Sequence, residues 1–376
     1  MKKLFFIFAV VGLLIGCSNE NKFKISGTIL EFGNPDEPTM LYLKTRVGNE
    51  EMVNLDSVLV SKNGSFVLKG KTSETDLFFL ADIDNVFFLR IFVDPGAHVK
   101  VSGNAYDITN ISIGGSKTQD IYNKYLSSVL PFQEQQMLIE QNFYTYLQDP
   151  SLGEEQLEQI QAELIGLYEQ AEASIAETTL AFIKENPNCM VASYLVFRNT
   201  SNAATSAEIE EQLQSLNPEM DNKFVKSVKK HLEKVKQKEV GATFPNIALP
   251  NADGNIISLE SLRGKHVLVD FWASWCKPCI VEVPNLKSAY QKYKDKGFEI
   301  YSISLDGSRE AWLAGIAKHE LNWLNVSDLL AFDSPVVKQL VVTYVPHTFL
   351  LDPNGVVIAV DLREDALEKL LSQVLK

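Results

Sequence analysis

Two cysteines separated by two residues, Cys276 and Cys279, are the part of this 376-residue sequence best suited to chemistry. They follow an apolar run over 266–272, typical of a buried strand, and precede a helical pattern that reaches about residue 293. Cys276 therefore falls at a helix start, where unpaired amides and the positive end of the helix dipole favour a thiolate. The spacing places both sulfurs on one face of the first turn, close enough to form a disulfide. We expect Cys276 to attack first, and Cys279 to be more buried and to act second.

The two residues between the cysteines fit the same role. Lys277 adds a positive charge beside the first thiol. Pro278 suits an early helical position and stiffens the loop between the sulfurs.

A Cys-x-x-Cys pair could also form half of a zinc site, but the sequence offers few further ligands. The other cysteines are at positions 17 and 189, and the nearest histidines are His266 and His347. Structural zinc sites need four closed ligands, so we expect no metal and no cofactor. Four cysteines do not provide a framework of structural disulfides, so we expect the pair Cys276 and Cys279 to serve disulfide exchange rather than stability. Cys189 stands alone at the start of a helical pattern and is interpreted as a small buried hydrophobic residue.

The segment Val269-Asp-Phe-Trp-Ala-Ser-Trp-Cys-Lys-Pro-Cys279 is similar to the active-site segment of thioredoxins. Its continuation, Cys279-Ile-Val-Glu-Val-Pro284, resembles the membrane-anchored, exported TlpA and ResA branch of that family. The resemblance covers roughly 135 of the 376 residues and includes the opening Gly241-Ala-Thr-Phe-Pro245. The preceding regions resemble the N-terminal parts of Bacteroidetes-type thioredoxin-like lipoproteins.

The resemblance implies two candidate bases for the second cysteine. Asp270 occupies the thioredoxin position of a buried acid, and Glu282 matches the glutamate of the TlpA and ResA pattern. A buried carboxylate has a raised pKa and can accept the proton that Cys279 must lose. The sequence leaves open which of the two acts, and it also allows a structural hydrogen bond for Asp270 and an exposed position for Glu282.

The resemblance also implies a surface for substrate docking. Val345 and Pro346 match the cis-proline loop, which lies against the cysteines in this family and pairs with the substrate as an added strand. Trp275 is expected to be exposed and to cover an apolar segment of the substrate. His347 follows the loop and is either a residue that tunes the thiolate or a bystander.

The N-terminus has the features of an export signal. Two lysines precede an apolar run over 4–15 that is short for a membrane span. The run ends in a Leu-Ile-Gly-Cys sequence that resembles a bacterial lipobox, so residues 1–16 would be removed and Cys17 lipidated. We therefore expect a lipid-anchored protein of the cell envelope that faces the periplasm. The residue after the lipidated cysteine is Ser18 rather than an aspartate, which resembles the pattern of lipoproteins sorted to the outer membrane. The alternative is an ordinary cleaved signal with an incidental cysteine.

Three regions are predicted after the signal, giving a multidomain fold. Residues 17–115 alternate apolar and polar positions, which favours an all-β sandwich with a hairpin turn at Asn63-Gly64. Residues 116–238 have helical spacing, and prolines at 150, 187 and 218 mark helix boundaries. Residues 239–376 alternate strands and helices, as in the α/β thioredoxin fold, and include a hairpin with its turn at 352–355.

The formal net charge of -13, near -15 without the two signal lysines, excludes nucleic acid as a partner because like charges repel phosphate. The leading interpretation is a lipid-anchored reductase of protein disulfides that receives electrons from a membrane donor. A disulfide-forming oxidase or isomerase is an alternative. The dipeptide between the cysteines, Lys277-Pro278, counts against it, because strongly oxidising family members carry a histidine there. A non-catalytic surface binding lipoprotein is a third. Peroxidase activity is disfavoured because no Thr-x-x-Cys motif precedes a lone cysteine.

Overall fold

The computed structural model describes residues 21–33, 39–47, 51–149, 151–200 and 205–375. The predicted signal, 1–16, and Cys17 lie outside the described residues. Within the described chain, no helix is long and apolar enough to span a membrane. The chain divides into two compact units, of which the second comprises Phe197–Gln214 and Val225–Lys376.

The first unit contains two four-stranded sheets that share one hydrophobic core, in agreement with the predicted β-sandwich. One sheet has the order β4-β1-β7-β8 and the other β3-β2-β5-β6. Phe23, Ile25 and Ile29 show the alternation that builds this core, since all three are buried along β1. The strands are β1 (Lys22–Leu30), β2 (Met40–Val47), β3 (Glu51–Leu59), β4 (Ser65–Lys71), β5 (Asp76–Ala81), β6 (Phe88–Val93), β7 (His98–Asn104) and β8 (Ser112–Gly114).

The predicted hairpin at Asn63-Gly64 is wrong. Gly64 has the expected positive φ of 79°, but β3 and β4 belong to different sheets and the turn crosses between them. The partner of β4 is β1, with Phe66 opposite Gly27. The residue types at 63–64 thus determine that the chain turns here, whereas pairing with the distant strand β1 determines the sheet to which β4 belongs.

Five helices follow in the described chain, within the region for which helices are predicted. They are α1 (Lys117–Leu147), α2 (Glu154–Glu185), α3 (Met190–Thr200), α4 (Ser206–Gln214) and α5 (Lys223–Lys236). The helices α1, α2 and α4 end shortly before the prolines at 150, 187 and 218, as expected. Residues 197–214 and 225–238 belong to the second unit, and the rest of 116–238 to the first.

The second unit is built on a five-stranded sheet of order β13-β12-β11-β14-β15. The strands β11, β12 and β13 are parallel, and β14 and β15 run antiparallel to their neighbours. This is the thioredoxin fold that the resemblance implies, with the predicted hairpin between β14 and β15. The elements are β9 (Ala248–Pro250), β10 (Ile256–Ser258), β11 (His266–Trp272), α6 (Lys277–Tyr293), β12 (Phe298–Ser304), α7 (Arg309–His319), β13 (Leu324–Val326), α8 (Pro335–Leu340), β14 (His347–Leu351), β15 (Val357–Val360) and α9 (Asp365–Val374).

The central strand β11 carries the segment that ends at the cysteines. Residues 267–272 are all buried, because this mixed sheet is covered on both faces. This strand fixes the position at which α6 begins.

Candidate active site

Cys276 and Cys279 form a disulfide at the start of α6. Cys276 is the N-cap of the helix, and its Sγ accepts a hydrogen bond of 3.1 Å from the backbone N–H of Cys279. The helix start thus provides the donor that sequence reasoning expected for a thiolate at Cys276. Lys277 is exposed, and Pro278 lies in the first turn, where its missing N–H costs no helical bond.

Burial does not distinguish the two cysteines, so the expectation that Cys279 is more buried is wrong for the disulfide form. Cys276 is 4% exposed and Cys279 is 5% exposed. Their bond brings both side chains into the same hydrophobic cluster. The difference between them lies in hydrogen bonding at the helix start.

Asp270 lies on β11, and its carboxylate is buried as predicted. Its Oδ2 accepts a hydrogen bond of 2.9 Å from the hydroxyl of Ser302 on β12. Burial raises the pKa of Asp270 to about 6, although the Ser302 hydrogen bond and the positive charge of Arg363 act in the opposite direction. The negative charge of Glu282 contributes further to the increase. Asp270 can therefore change its protonation state near neutral pH.

Glu282 is also buried, at 7% exposure, so the exposed alternative is wrong. It lies on α6 one turn beyond Cys279. Its Oε1 accepts hydrogen bonds from the backbone N–H of Glu364 at 2.9 Å and from Nδ2 of Asn285 at 3.3 Å. Both candidate carboxylates are therefore beneath the surface, held by different partners.

A small cavity joins the second cysteine to both acids. It is lined by Asp270, Cys279, Glu282, Pro346 and Arg363, together with Trp272, Val283, Leu286, Leu321, Trp323 and Thr348. Its volume of about 10 Å³ is close to the room that one water molecule requires. Cys279 and both carboxylates therefore line one cavity, in which a single water can carry a proton between them.

A row of polar side chains crosses the otherwise apolar sheet at the level of Asp270. Asp270 lies opposite Ser302 on β12 and Thr348 on β14, and Ser302 lies opposite Asn325 on β13. Directly opposed residues project to the same face of a sheet. The row thus places a polar side chain on either side of the buried carboxylate, and one of them, Ser302, donates a hydrogen bond to it.

The peptide bond between Val345 and Pro346 is cis, as the resemblance implies. The side chains on both sides of this loop converge on Asp361, which accepts from Tyr344 Oη at 2.7 Å and lies 2.7 Å from His347 Nδ1. Burial opposes ionisation of Asp361, but the hydrogen bonds from His347 and Tyr344 outweigh it and lower its pKa to about 2. His347 is buried in this network and stacks edge-on against Phe349.

Arg363 connects this loop to the cavity. Its guanidinium donates to the carbonyl of Pro346 at 2.5 Å, to Thr348 Oγ1 at 3.0 Å and to Asp361 Oδ1 at 3.1 Å. Sequence reasoning missed Arg363, Asp361 and Ser302. A polar residue within a strand predicted to be buried was the available signal for Ser302, whereas no local motif indicated the other two.

An exposed aromatic pair lies beside the disulfide. Trp275 immediately precedes Cys276 and is 58% exposed, as expected. Its ring is 6.4 Å from that of Phe332, which is 40% exposed. Sequence reasoning did not identify Phe332, which lies more than fifty residues away in the chain.

Residues 240–360 match the AhpC/TSA family model, and residues 23–122 match the model described as a domain of unknown function, DUF4369. The thiol-disulfide oxidoreductase ResA of Bacillus cereus (strain ATCC 10987 / NRS 248) is 30% identical over 146 residues, which are 39% of this chain and 82% of that protein. ResA of Bacillus subtilis (strain 168) is 33% identical over 120 residues, covering 32% of this chain and 65% of the relative.

Among solved structures, the thioredoxin domain of a thiol-disulfide oxidoreductase from Bacteroides vulgatus is similar to this chain. It is 34% identical, covers 37% of this chain and 99% of that chain, and has a TM-score of 0.36. The match to ResA of Bacillus cereus spans 82% of that protein, and the AhpC/TSA match over residues 240–360 includes the cysteine pair described above. Through its C-terminal thioredoxin-fold domain, the chain therefore belongs to the ResA-like thiol-disulfide oxidoreductases.

Proposed function

We propose that this oxidoreductase works as a reductase of protein disulfides, with Cys276 as the nucleophile and Cys279 as the resolving thiol. The observation that carries this direction is the position of Asp270 and Glu282 in the cavity beside Cys279. Strong oxidants of this fold stabilise their reduced form, in which a thiolate is present. The negative charges of two carboxylates beside the pair disfavour a negative charge on sulfur. They therefore destabilise the thiolate of the reduced form and favour the disulfide form of the enzyme.

The proposed reaction transfers two electrons from the enzyme dithiol to the substrate. The Cys276 thiolate attacks one sulfur of a substrate disulfide, which breaks the substrate S–S bond and forms a mixed disulfide. Cys279 then loses its proton and attacks Cys276 Sγ, releasing the second substrate thiol. The enzyme is left with the Cys276–Cys279 disulfide, and a membrane partner carrying a dithiol reduces it again.

The proposed docking surface consists of Trp275, Phe332 and the backbone at Val345 and Pro346. The two exposed rings offer an apolar platform for the residues that flank a substrate cysteine. The loop at Val345 offers backbone groups for pairing with an extended chain. The position of the loop is supported by Arg363, whose guanidinium donates a hydrogen bond to the Pro346 carbonyl.

The reduction of insulin disulfides by the dithiol form of the enzyme tests this proposal. The wild-type chain should accelerate insulin precipitation, Cys276→Ser should abolish the activity, and Ser372→Ala, at an exposed position of α9, is the matched control. A wild-type protein that fails to reduce insulin but oxidises a reduced test peptide would support the oxidase alternative. Failure in both reactions would support a non-catalytic binding role.

The same proposal places the protein in the cell envelope, anchored by a lipid on Cys17 and facing the periplasm. This rests on the lipobox-like sequence that ends at Cys17. Cys17→Ala should release the protein from membranes or leave the precursor unprocessed. Processing to a soluble form in the presence of the lipoprotein signal peptidase inhibitor globomycin would contradict the anchor.

A further inference from the structure

Three side chains form a continuous hydrogen-bonded chain that ends at the buried carboxylate. Nε1 of Trp323 donates to Oγ of Ser302 over 2.8 Å, and Oγ of Ser302 donates to Oδ2 of Asp270 over 2.9 Å. Ser302 and Asp270 are direct neighbours on adjacent strands, and both are buried. We refer to Trp323, Ser302 and Asp270 as the relay.

The chemistry of the first donor fixes the direction of the relay. An indole N–H can only donate, so the Ser302 hydroxyl must accept from Trp323 and direct its own hydrogen elsewhere. The acceptor within reach of that hydroxyl is Oδ2 of Asp270, at 2.9 Å from Oγ. Because Oδ2 already accepts the Ser302 hydrogen bond, it is a poor site for a proton. Oδ1 is therefore the oxygen that gains or loses a proton.

We propose that Trp323 and Ser302 are positioning residues that direct proton uptake by Asp270 to Oδ1, the oxygen left free for the cavity shared with Cys279. Asp270 and Cys279 both line this cavity, whereas Ser302 occupies the other carboxylate oxygen. The relay therefore orients the carboxylate toward the thiol that must be deprotonated.

The consequence for catalysis rests on the proposed function. When Cys279 resolves the mixed disulfide, its S–H proton passes to Oδ1, directly or through one water. The thiolate forms the bond to Cys276 Sγ, and the substrate sulfur leaves with the electron pair of the broken S–S bond. The proton on Asp270 returns to solvent before the next cycle.

Several ionisable or charged groups face Asp270 or the relay. Cys279 and Glu282 approach from α6, and Arg363 approaches from the segment between β15 and α9. Tyr290, also on α6, packs edge-on against Trp323 at 5.8 Å. Burial raises the pKa of Tyr290 to about 12, so its charge does not change over the pH range of the reaction. Removal of the Ser302 hydroxyl therefore acts on Asp270 without adding or removing a charge.

The direct test is the titration of Asp270 in the full-length, oxidised protein, followed by NMR of ¹³C-labelled aspartate carboxyl groups. Ser302→Ala removes a hydrogen bond to the ionised carboxylate, so the titration midpoint should rise by about one pH unit. Trp323→Phe keeps an aromatic side chain but removes the N–H, and should raise the midpoint by a smaller amount. Ser304→Ala is the matched control, because this buried serine on the same strand bonds to Asp306 and should leave the midpoint unchanged.

In each variant, the pH dependence of the rate of mixed-disulfide release should shift with the NMR titration midpoint of Asp270. If Ser302→Ala titrates as the wild type does, or if Ser304→Ala moves the midpoint equally, the relay proposal is overturned. A change in Ser302→Ala but none in Trp323→Phe would overturn the role of Trp323. The titration uses oxidised protein without substrate, so its result is independent of whether the enzyme is a reductase.

Discussion

Oε1 of Glu282 lies 2.9 Å from the backbone nitrogen of Glu364, a residue 82 positions later in the chain. This hydrogen bond ties the carboxylate on α6 to the residue preceding α9. Asp270, in contrast, is held by a serine hydroxyl from the neighbouring strand. The two acids beside Cys279 thus have different anchors, and substitutions that keep each anchor can separate their roles.

Asp270→Asn and Glu282→Gln are each expected to slow release of the mixed disulfide near neutral pH. Loss of a general base costs about 10- to 100-fold in rate, whereas the first attack by Cys276 should remain largely intact. Both amides can still accept the hydrogen bonds of the original carboxylates, so the structural cost is small. Stopped-flow measurement of the two steps across pH separates the effects. If both variants resolve at the wild-type rate, the carboxylates are structural and water accepts the proton.

Cys279→Ser should leave Cys276 able to attack and should accumulate covalent complexes with substrate. The order of attack follows from the helix start, because Cys276 Sγ receives the amide hydrogen bond. Non-reducing gel electrophoresis after exposure to oxidised insulin detects these complexes. Cys276→Ser is the comparison, and equal trapping by both variants would disprove the assigned order.

Asp270→Asn should also stabilise the oxidised protein at alkaline pH. The pKa of Asp270 is raised to about 6 by folding, so wild-type stability is fully present below the unfolded value of 3.8 and falls as pH rises through about 6. At pH 8 the variant should be more stable by about 2 to 3 kcal/mol, and near pH 3.5 the difference should vanish. All four tryptophans lie at 272–323, so their fluorescence during urea unfolding reports on this unit. A variant destabilised at pH 8 would contradict the assigned environment.

Asp361→Asn should have the opposite pH dependence. Folding lowers the pKa of Asp361 to about 2, so its contribution is present above pH 4 and is lost as pH falls toward 2. Because the side chain is partly exposed, we expect a loss of about 1 to 2 kcal/mol at pH 7. Asp295→Asn, at an exposed aspartate of the same unit, is the control for the same fluorescence measurement. Equal unfolding of Asp361→Asn and wild type at pH 7 would show that the network around the cis-proline loop is not stabilising.

Sequence reasoning identified the thioredoxin fold and the residues nearest to the sulfurs because their signals are local. The apolar run before Cys276, the proline after Lys277 and the carboxylates at 270 and 282 lie within seventeen residues of one another. Each expresses a requirement of one strand, one helix start or one buried face. The apolar neighbours of Asp270 in the run over 266–272 also predicted that its carboxylate would have little access to water, and the strand is buried as expected.

The rest of the site depends on residues that only the fold brings together. Trp323 and Arg363 reach the cavity from the segment before β13 and from the segment after β15, and Ser302 on β12 reaches the Asp270 carboxylate. Strand order and register decide these contacts, as they decided the pairing of β4 with β1 rather than β3. The similar burial of the two cysteines is likewise a property of the closed disulfide, which spacing alone does not indicate.

The equilibrium reduction potential of the Cys276–Cys279 pair, measured against glutathione, tests the proposed reductase most directly. Carboxylates beside Cys279 disfavour the thiolate and should make the pair a reductant, with a potential of roughly -250 mV, close to thioredoxin at about -270 mV. A potential of about -120 mV, as in the strong oxidant DsbA, would contradict the proposal that the enzyme is a reductase.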